Sequence, residues 1–216
     1  MNCKICASNS PVFFSDKRTF YKCPYCSLIF TNETLVGEQA EKHYKDQWDD
    51  QDEQFWKDRA SDLHSLISQH LATPGKVLDF GSGSGKLTEA LKERGVDVTP
   101  LDPMTHGYLK DQNYSDKFDV IIAIEVIEHL TDLWKEFAEL DKVLSKNGIM
   151  IFSTLLTNLF IDLPESQSKE SFAGWTYKDD PTHVCFYSNR AISVLAKISG
   201  YESFVYGHNL FVLKRA

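Results

Sequence analysis

The sequence Val-Leu-Asp-Phe-Gly-Ser-Gly-Ser-Gly at residues 77–85 is the segment that most restricts how this chain can fold. Residues with strand character run directly into glycines spaced one residue apart, and a helical pattern over residues 86–94 follows. Glycine adopts the positive φ angles of a tight turn and lets a ligand approach the backbone closely. The first turn of the following helix offers free N–H groups at the same place. The segment therefore predicts a strand–turn–helix unit that can hold a nucleotide-like ligand.

An acidic residue at the end of the next predicted strand narrows the class of ligand. Asp102 lies 17 residues after Gly85, and a carboxylate there can accept hydrogen bonds from both hydroxyls of a ribose. The glycine spacing differs from the Gly-x-Gly-x-x-Gly of dinucleotide-binding proteins, which disfavours NAD. A phosphate-binding loop is also disfavoured, because Lys86 is followed by Leu87 rather than by Ser or Thr. A turn with a purely structural role is the remaining alternative.

Strand and helix patterns alternate after the glycine turn. The predicted strands cover residues 96–101, Phe118–Ile124 and 149–154, the predicted helices cover residues 132–144 and 188–199, and a hairpin over residues 202–214 follows. The near-continuous apolar run of Phe118–Ile124 is typical of a parallel strand buried on both faces. This order predicts a doubly wound α/β sheet that ends in an antiparallel hairpin.

Composition divides the chain into three regions. Residues 1–32 carry four of the five cysteines, and residues 33–73 are polar, with apolar residues at the three- and four-residue steps of an amphipathic helix. Residues 74–216 hold the alternating pattern. Within them, residues 155–187 show no period and are too long for a plain connection, so we expect a functional lid there.

Several segments resemble, in the correct order, the motifs of class I S-adenosylmethionine-dependent methyltransferases. Residues 79–85 are similar to that family's first motif. Residues 118–130, Phe-Asp-Val-Ile-Ile-Ala-Ile-Glu-Val-Ile-Glu-His-Leu, are similar to its fourth-strand motif. Residues 145–151, Ser-Lys-Asn-Gly-Ile-Met-Ile, are similar to the segment before its fifth strand. The resemblance implies a Rossmann-like, doubly wound, seven-stranded and mostly parallel sheet with an antiparallel C-terminal hairpin. It also implies S-adenosylmethionine (SAM) as the cofactor.

The same resemblance implies which residues hold that cofactor. Asp79 and the glycine turn would face the methionine moiety, Asp102 would bind the ribose, and the end of the fourth-strand motif would lie beside the cofactor. The full predicted set is Asp79, Phe80, Gly81, Ser82, Gly83, Gly85, Asp102, Pro103, Ile124 and Glu125. The short segment between Asp102 and Phe118 departs from the family pattern, because it leaves little room for a regular third strand.

A cluster of carboxylates and imidazoles is predicted beyond the central strand. Glu125, Glu128 and His129 share about one face of a helical turn at the strand's carboxyl end, and His183 comes from the lid. The four residues could bind a divalent cation that polarises a substrate hydroxyl, and the set resembles that of small-RNA 2′-O-methyltransferases and some ubiquinone-pathway O-methyltransferases. Alternatively, His129 and His183 are catalytic without a metal, in substrate orientation or proton removal. The third interpretation is that Glu128 and His129 only cap and orient the start of the next helix.

Aromatic residues of the lid are candidates for the wall of an acceptor pocket. Trp175, Tyr177 and Tyr187 are the predicted substrate contacts, with ordinary packing as the alternative. Tyr44 and Arg59, from the helical second region, could reach the carboxylate of the cofactor. A solvated ion pair is the alternative for Arg59.

Two Cys-x-x-Cys pairs predict a metal site in the first region. Cys3 and Cys6 are separated from Cys23 and Cys26 by 16 residues, and four thiolates from two such knuckles close a tetrahedral zinc site. Because no coordination position is left open, we expect a structural zinc ribbon. A redox role is the alternative, although such motifs usually begin a helix in a thioredoxin-like pattern.

The overall charge restricts the class of partner. The formal net charge is -8, which disfavours nucleic acid and anionic membrane surfaces as partners. No apolar run approaches the ~20 residues of a membrane span, so the sequence predicts a cytoplasmic protein. It leaves the oligomeric state open.

Three functional hypotheses follow. The favoured one is a SAM-dependent methyltransferase that acts on a small molecule, with a sugar, polysaccharide or secondary-metabolite precursor as candidates, since a zinc ribbon before such a domain resembles bacterial tailoring enzymes. The alternatives are a metal-assisted RNA 2′-O-methyltransferase and a non-catalytic zinc-ribbon interaction module. The acceptor atom is left open between oxygen, nitrogen and carbon.

Overall fold

The computed structural model describes residues 1–47, 52–73 and 75–215. The elements before the glycine turn are β1 (Val12–Ser15), β2 (Thr19–Lys22), β3 (Ile29–Phe30), α1 (Glu38–Gln47), α2 (Glu53–His70) and β4 (Val77–Phe80). The elements after it are α3 (Lys86–Glu93), β5 (Val98–Leu101), β6 (Phe118–Ile124), α4 (Leu133–Val143), β7 (Leu144–Ser153), α5 (Glu165–Ala173), β8 (Cys185–Phe186), α6 (Asn189–Ser199), β9 (Tyr201–Tyr206) and β10 (Leu210–Arg215).

The central sheet has the strand order β5-β4-β6-β7-β10-β9. The first four of these strands are parallel to one another, whereas β10 is antiparallel to both of its neighbours. The predicted mostly parallel sheet with a C-terminal hairpin is thus confirmed. The strand order reverses between β4 and β6, and in open α/β sheets ligands bind at the carboxyl ends of the strands at such a reversal.

The described part of the central sheet contains six strands rather than the seven that the resemblance implied. Residues 103–117, between β5 and β6, hold a short 3-10 helix (Leu109–Asp111) in place of a further parallel strand. A crossover between parallel strands takes about a dozen residues, and an additional strand here would need two crossovers. The segment is too short for both, so β5 forms the edge of the sheet.

Different helices cover the two faces of the sheet. In β6, Val120 and Ile122 belong to the core that contains α2 and α3. Ile121 and Ala123 belong to the core that contains α4 and α6. Successive residues of a strand point to opposite faces, so a strand covered on both sides must be apolar on both, as β6 is from Val120 to Ile124.

Residues that are typical of helix ends predicted where the helices begin and end. The Ser188 side chain accepts a hydrogen bond from the Ala191 amide at 3.1 Å at the start of α6, and Gly200 ends that helix with a φ of +77°. The amphipathic helix predicted in the second region is α2, whose buried residues are Ala60, Leu63, Leu66 and Ile67. Every helix in the described part of the chain is too short or too polar to cross a bilayer.

The cysteine-bearing segment and the lid share one small sheet. Its strand order is β1-β2-β3-β8, and β8 belongs to residues 155–187. Ile29 pairs with Phe186, and Phe30 pairs with Cys185. The buried residues beneath this sheet are Phe13, Phe20, Ile29, Phe160, Ile161, Phe172 and Phe186. The first region is therefore continuous with the lid in both hydrogen bonding and packing.

Candidate active site

The glycine turn joins β4 to α3 as predicted. Gly81, Gly83 and Gly85 have φ angles of +79°, +52° and +81°, and Gly85 is the N-cap of α3. Other residues adopt this left-handed region only at a cost, which explains the three glycines. The Gly81 amide donates to the Leu101 carbonyl at 2.7 Å, so the turn is also fixed to β5.

Gly81 additionally has a neighbour that leaves no room for a side chain. A Cβ atom built on Gly81 would lie 2.4 Å from Cγ2 of Val126, in the loop that follows β6. That loop carries Glu125, Glu128 and His129. The close contact therefore joins the glycine turn to the cluster of carboxylates and imidazoles.

Replacing Gly81 with alanine is expected to lower the free energy of unfolding by about 2–4 kcal/mol, from the left-handed φ and the overlap with Val126 together. Gly95→Ala is the matched control, because Gly95 has a φ of +78° but no atom within 4 Å of a built Cβ. Urea unfolding of both variants separates the two contributions. Equal losses in the two variants would show that the Val126 contact is unimportant.

Asp79, at the end of β4, is almost completely buried. Its Oδ2 atom accepts a hydrogen bond from the Thr88 hydroxyl of α3 at 2.6 Å. Burial, with a smaller contribution from the Asp102 carboxylate, raises the pKa of Asp79 to about 6. The ligand-free site therefore holds a carboxylate that is costly to ionise and that a cationic ligand group would stabilise.

Asp79→Asn is expected to stabilise the ligand-free protein at neutral pH. The raised pKa means that the folded state binds the Asp79 proton more tightly than the unfolded chain, so its stabilising effect is complete below the ordinary value of 3.8 and is lost as the pH rises through about 6. The loss amounts to about 3 kcal/mol at most. The difference in unfolding free energy between variant and wild type should grow over this pH range. A constant difference would contradict the assignment.

Asp102 lies directly after β5 and is 7% exposed. Its Oδ2 atom accepts from the Gly83 amide at 3.0 Å, and its Oδ1 atom accepts from the Met104 amide at 2.9 Å. The carboxylate thus fixes the middle of the glycine turn. Each carboxylate oxygen has a second lone pair, which leaves acceptor capacity for ligand hydroxyls.

The other residues of the predicted cofactor set differ from one another in burial. The Phe80 ring belongs to the main core, Pro103 is exposed and Ile124 is half-buried. The Ser82 hydroxyl oxygen is buried and has no hydrogen-bond partner among the described residues. An unpaired polar atom in a glycine turn is a candidate ligand contact.

Glu125 has strained backbone geometry at the end of β6. Its φ is +54°, in a region that non-glycine residues rarely adopt. The Glu125 amide donates to the carbonyl and the hydroxyl of Ser153 at 3.1 Å each, and the Ser153 hydroxyl donates to Glu125 Oε1 at 2.6 Å. Strain held in this way is common at active sites. Here it turns the chain into the 3-10 helix Ile127–His129.

Glu128 is fully buried beside Tyr177 of the lid. The Tyr177 hydroxyl donates to Glu128 Oε1 and to Glu125 Oε2, the latter at 2.9 Å. Burial, together with the Glu125 carboxylate, raises the pKa of Glu128 well above its usual range. Glu128 Oε2 has no hydrogen-bond partner in the described part of the chain. A buried carboxylate with one unpaired oxygen is suited to a proton or a cation.

The two imidazoles of the cluster are oriented by backbone carbonyls. His129 Nδ1 lies 3.3 Å from the Thr182 carbonyl, and His183 Nδ1 lies 2.7 Å from the Tyr177 carbonyl. Because a carbonyl can only accept, both Nδ1 atoms carry the proton and both Nε2 atoms present a lone pair. Burial and the neighbouring His183 lower the pKa of His129 to about 3, and burial also lowers the pKa of His183.

The structure brings together three of the four predicted residues. Ligand atoms of Glu128, His129 and His183 all lie within 4.8 Å of one another. Glu125 does not belong to this group, and its oxygens accept hydrogen bonds from Ser153 and Tyr177.

Sequence reasoning missed several neighbours of this group. Asp180 Oδ2 lies 4.0 Å from His183 Nε2, and His43 Nε2 donates to both Asp180 oxygens at 3.1 Å. Although burial acts in the opposite direction, hydrogen bonds from Thr182 and His43 lower the pKa of Asp180. The acidic pair immediately before Pro181 was the signal that could have identified Asp180. Tyr44 stacks edge-on against His129, with ring centroids 5.4 Å apart. Arg59 instead lies over the Phe55 ring.

A cavity of about 500 Å³ opens beside the cluster. Its lining residues are His43, Leu155, Trp175, Thr176, Tyr177, Asp179, Asp180, Pro181 and His183. Two of the three predicted substrate contacts, Trp175 and Tyr177, line this cavity. The third, Tyr187, lies outside the cavity lining: its side chain is completely buried, and its hydroxyl donates to the Ile127 carbonyl at 3.3 Å.

The predicted cysteine cluster is assembled at the N-terminus. Cys3 Sγ lies 3.5 Å from Cys26 Sγ, Cys6 Sγ lies 3.5 Å from Cys23 Sγ, and all four sulfurs are within 4.8 Å of one another. The two pairs form equivalent turns: Ala7 and Ser27, which follow the second cysteine of each pair, have φ angles of +58° and +63°. A hydrogen bond from the Cys26 thiol lowers the pKa of Cys3 to about 5. Cys185 lies outside the cluster and is buried.

Comparison with known protein families identifies the family to which the chain belongs. Residues 48–204 match the sequence profile of a family described as "Methyltransferase domain". This range is more than half of the chain and includes the glycine turn, Asp102 and the cluster around His129. The chain belongs to the methyltransferase domain family. The profile does not cover the cysteine cluster.

Individual relatives agree with this family. The ubiquinone biosynthesis O-methyltransferase of Azorhizobium caulinodans is 31% identical over 101 residues, which are 37% of this chain and 40% of that protein. The structure of the plantazolicin methyltransferase BpumL in complex with SAH has a TM-score of 0.60 at 13% identity, covering 83% of this chain and 92% of that one. The Burkholderia thailandensis 1,6-didemethyltoxoflavin-N1-methyltransferase has a TM-score of 0.58 at 13% identity, covering 97% of this chain and 100% of that one. At these identities the two structures support the methyltransferase fold alone.

Proposed function

We propose that the chain transfers a methyl group from SAM to a small molecule. The observation that supports this most is the contact between Gly81 and Val126, because it places the glycine turn next to the loop with Glu128 and His129. A cofactor on the turn and an acceptor beside the cluster would then occupy adjacent strand ends. Family membership and the methyltransferase names of the relatives are consistent with this chemistry.

The residues needed for such a reaction are few. SAM carries its methyl group on a sulfonium sulfur, so the sulfur–carbon bond breaks as the acceptor forms its bond to the methyl carbon, and the acceptor loses a proton. The protein mainly aligns the two reactants. His183 borders the cavity with its Nδ1 proton held by the Tyr177 carbonyl, which leaves Nε2 as the atom that can receive the acceptor's proton.

The cavity supports a small, non-anionic acceptor. Its volume of about 500 Å³ falls within the range of about 300–1,000 Å³ that is usual for small-ligand pockets. Trp175 and Tyr177 provide aromatic surface, while Asp179 and Asp180 make the lining acidic. Acidic walls repel phosphates, so a neutral or cationic molecule such as a sugar or a secondary-metabolite precursor fits better than RNA.

Calorimetry with SAM tests the cofactor assignment. We expect a saturable heat of binding to the purified protein, and no heat up to millimolar SAM would contradict the proposal. Release of SAH from SAM, followed across a panel of hydroxylated and amino-bearing small molecules and RNA oligonucleotides, then tests the acceptor class. Methylation of RNA alone would overturn the small-molecule assignment.

We also propose that the cysteine cluster binds a structural zinc ion. Sulfurs at tetrahedral positions about 2.3 Å from zinc are about 3.8 Å apart, close to the sulfur–sulfur distances of 3.5 Å in the cluster. Amides of Ile5 and Cys26 donate to the sulfurs of Cys3 and Cys23 at 3.4 Å, which supports thiolates there. Metal analysis should give about one zinc per chain.

Glu128, His129 and His183 also fit a divalent cation. Imidazole ligands of metals usually donate their second N–H to a carbonyl or a carboxylate, as both imidazoles do here. The unpaired Glu128 Oε2 completes a set of three donor atoms. When bound, the cation would supply Lewis-acid polarisation of an acceptor oxygen.

His183→Ala is expected to weaken binding of Mn²⁺ to the zinc-loaded protein by about 10-fold or more, since one of three protein ligands is lost. His64→Ala is the control, because His64 is exposed on α2. Calorimetric titration with Mn²⁺ measures both variants. Equal Mn²⁺ affinities in the two variants would place the cation elsewhere, and absence of binding to the wild type would leave the histidines with a metal-free role.

A further inference from the structure

Arg18, in the cysteine-bearing region, reaches the lid of the proposed acceptor site. It lies at the tip of the hairpin formed by β1 and β2. Its Nη1 atom donates to the His183 carbonyl at 2.9 Å, and its Nη2 atom donates to the Asp180 carbonyl at 2.8 Å and to the Lys178 carbonyl. A weaker contact of 3.4 Å joins Nη1 to the Glu33 carbonyl. The Arg18 guanidinium thus donates hydrogen bonds to three carbonyls of a single loop, residues 178–183.

The carbonyls of Lys178 and His183 take their donor from outside the loop, whereas the Asp180 carbonyl also accepts from the His183 amide at 3.2 Å. The lid has a 3-10 helix at Thr176–Asp179, and the last carbonyls of a helix have no partner within it. The chain then bends through Asp180 and Pro181, and proline has no N–H to donate. Arginine suits this position because its planar guanidinium presents five N–H donors in a fixed arrangement.

The loop that Arg18 holds determines the orientation of both imidazoles. His183 belongs to the loop, and its Nδ1 proton is directed to the carbonyl of Tyr177, which precedes the loop. The Thr182 carbonyl, within the loop, accepts from His129 Nδ1. A shift of the loop backbone would therefore move His183 and remove the acceptor that fixes His129.

We propose that Arg18 is a positioning residue that holds residues 178–183 in the conformation in which His183 faces the acceptor cavity. This inference rests on the proposed function for the role of the cavity, but not for the geometry of the loop. Arg18 itself touches none of the reacting groups and acts through the backbone.

A second contact between the same two elements supports this role. Lys178 is 3% exposed, and its Nζ atom donates to Asp16 Oδ2 at 2.9 Å. Asp16 begins the hairpin turn, and its Oδ1 atom accepts from the Arg18 amide at 3.1 Å. The hairpin tip therefore binds the loop through one side chain from each partner. Such reciprocal contacts fix the tip and the loop relative to each other.

NMR of the histidine side chains tests the proposal without the need for a substrate. In the zinc-loaded wild type, the ¹⁵N shifts of His183 are expected to show the Nδ1–H tautomer, with the signal assigned by its loss in His183→Gln. In Arg18→Ala, we expect a mixture of tautomers at His183 and at least 10-fold faster amide exchange over residues 178–183. Arg18→Lys is the second variant, because an ammonium keeps the charge but lacks the fixed set of donors. Arg94→Ala is the control for loss of an exposed arginine, whose side chain donates to the Lys57 carbonyl.

Binding, activity and NMR measurements on the variants decide the outcome. The proposal expects Arg18→Ala and Arg18→Lys to keep zinc and SAM affinity close to wild type, while methyl transfer falls about 10-fold or more. Added guanidinium ion should partly restore the wild-type His183 signal in Arg18→Ala. An unchanged His183 tautomer and unchanged exchange in both variants would overturn the proposal. So would a parallel loss of zinc and SAM binding in Arg18→Lys, which would indicate a general role in folding. Absence of methyl transfer in the wild type would contradict the proposed function, while the NMR result would still decide the role of Arg18.

Discussion

Replacing Asp102 with alanine is expected to weaken SAM binding by about 100-fold or more. The carboxylate is the predicted acceptor for the ribose hydroxyls, and hydrogen bonds to a charged group contribute about 1.5–3 kcal/mol each. The same carboxylate accepts from the amides of Gly83 and Met104. Its removal therefore also loosens the glycine turn, so both effects lower the affinity. Calorimetry with SAM measures the change.

Two further substitutions separate these effects. Asp102→Asn keeps one acceptor oxygen and is expected to lie between wild type and Asp102→Ala in SAM affinity. Asp111→Ala is the matched control, because Asp111 is exposed in the 3-10 helix Leu109–Asp111, in the segment that follows Asp102. A SAM affinity for Asp102→Ala within about threefold of wild type would show that another acid binds the ribose.

Loss of the proposed zinc ion is expected to unfold the first region and release part of the lid. Binding of structural zinc is worth about 10–16 kcal/mol in zinc-finger peptides, which is comparable to the whole stability of a typical domain, about 5–15 kcal/mol. The strand that follows the cysteine cluster, β3, pairs with β8 through Ile29 and Phe30. Cys23→Ser should therefore lower the melting temperature and expose the amides of Cys185 and Phe186 to hydrogen exchange.

Cys185→Ala is the control for this experiment, since Cys185 is a buried cysteine outside the cluster. It should keep about one zinc per chain. Full zinc content and unchanged exchange in Cys23→Ser would contradict the zinc proposal. Unfolding of the first region with an unchanged lid would contradict the structural link through β8.

The sequence predicted the elements that local rules determine. The glycine turn, the strand Phe118–Ile124 and the ends of α6 at Ser188 and Gly200 each follow from residues next to one another in the chain. The cysteine cluster also followed from spacing, because two Cys-x-x-Cys turns have few other uses. Predictions of this kind need no knowledge of the tertiary fold.

The features that the sequence did not predict depend on contacts between residues that are far apart in the chain. Tyr177 lies 52 positions from Glu125, and Arg18 lies 165 positions from His183. β8 is only two residues long, so it shows no strand period and its pairing with β3 could not be foreseen. Glu125 appeared to be a metal ligand because its spacing suits a helical face, whereas its positive φ angle directs it to Ser153 and Tyr177.

The pairing of β3 with β8 also determines how this protein can be shortened or recombined. A chain that started at residue 33 would leave β8 without its partner and would uncover Phe172 and Phe186, which are now completely buried. Unpaired strand edges beside apolar surface promote aggregation. The boundary at residue 32 therefore marks a change in composition and not a point at which a stable catalytic fragment begins. Exchange of the cysteine-bearing region between related proteins would require the matching lid to be exchanged with it.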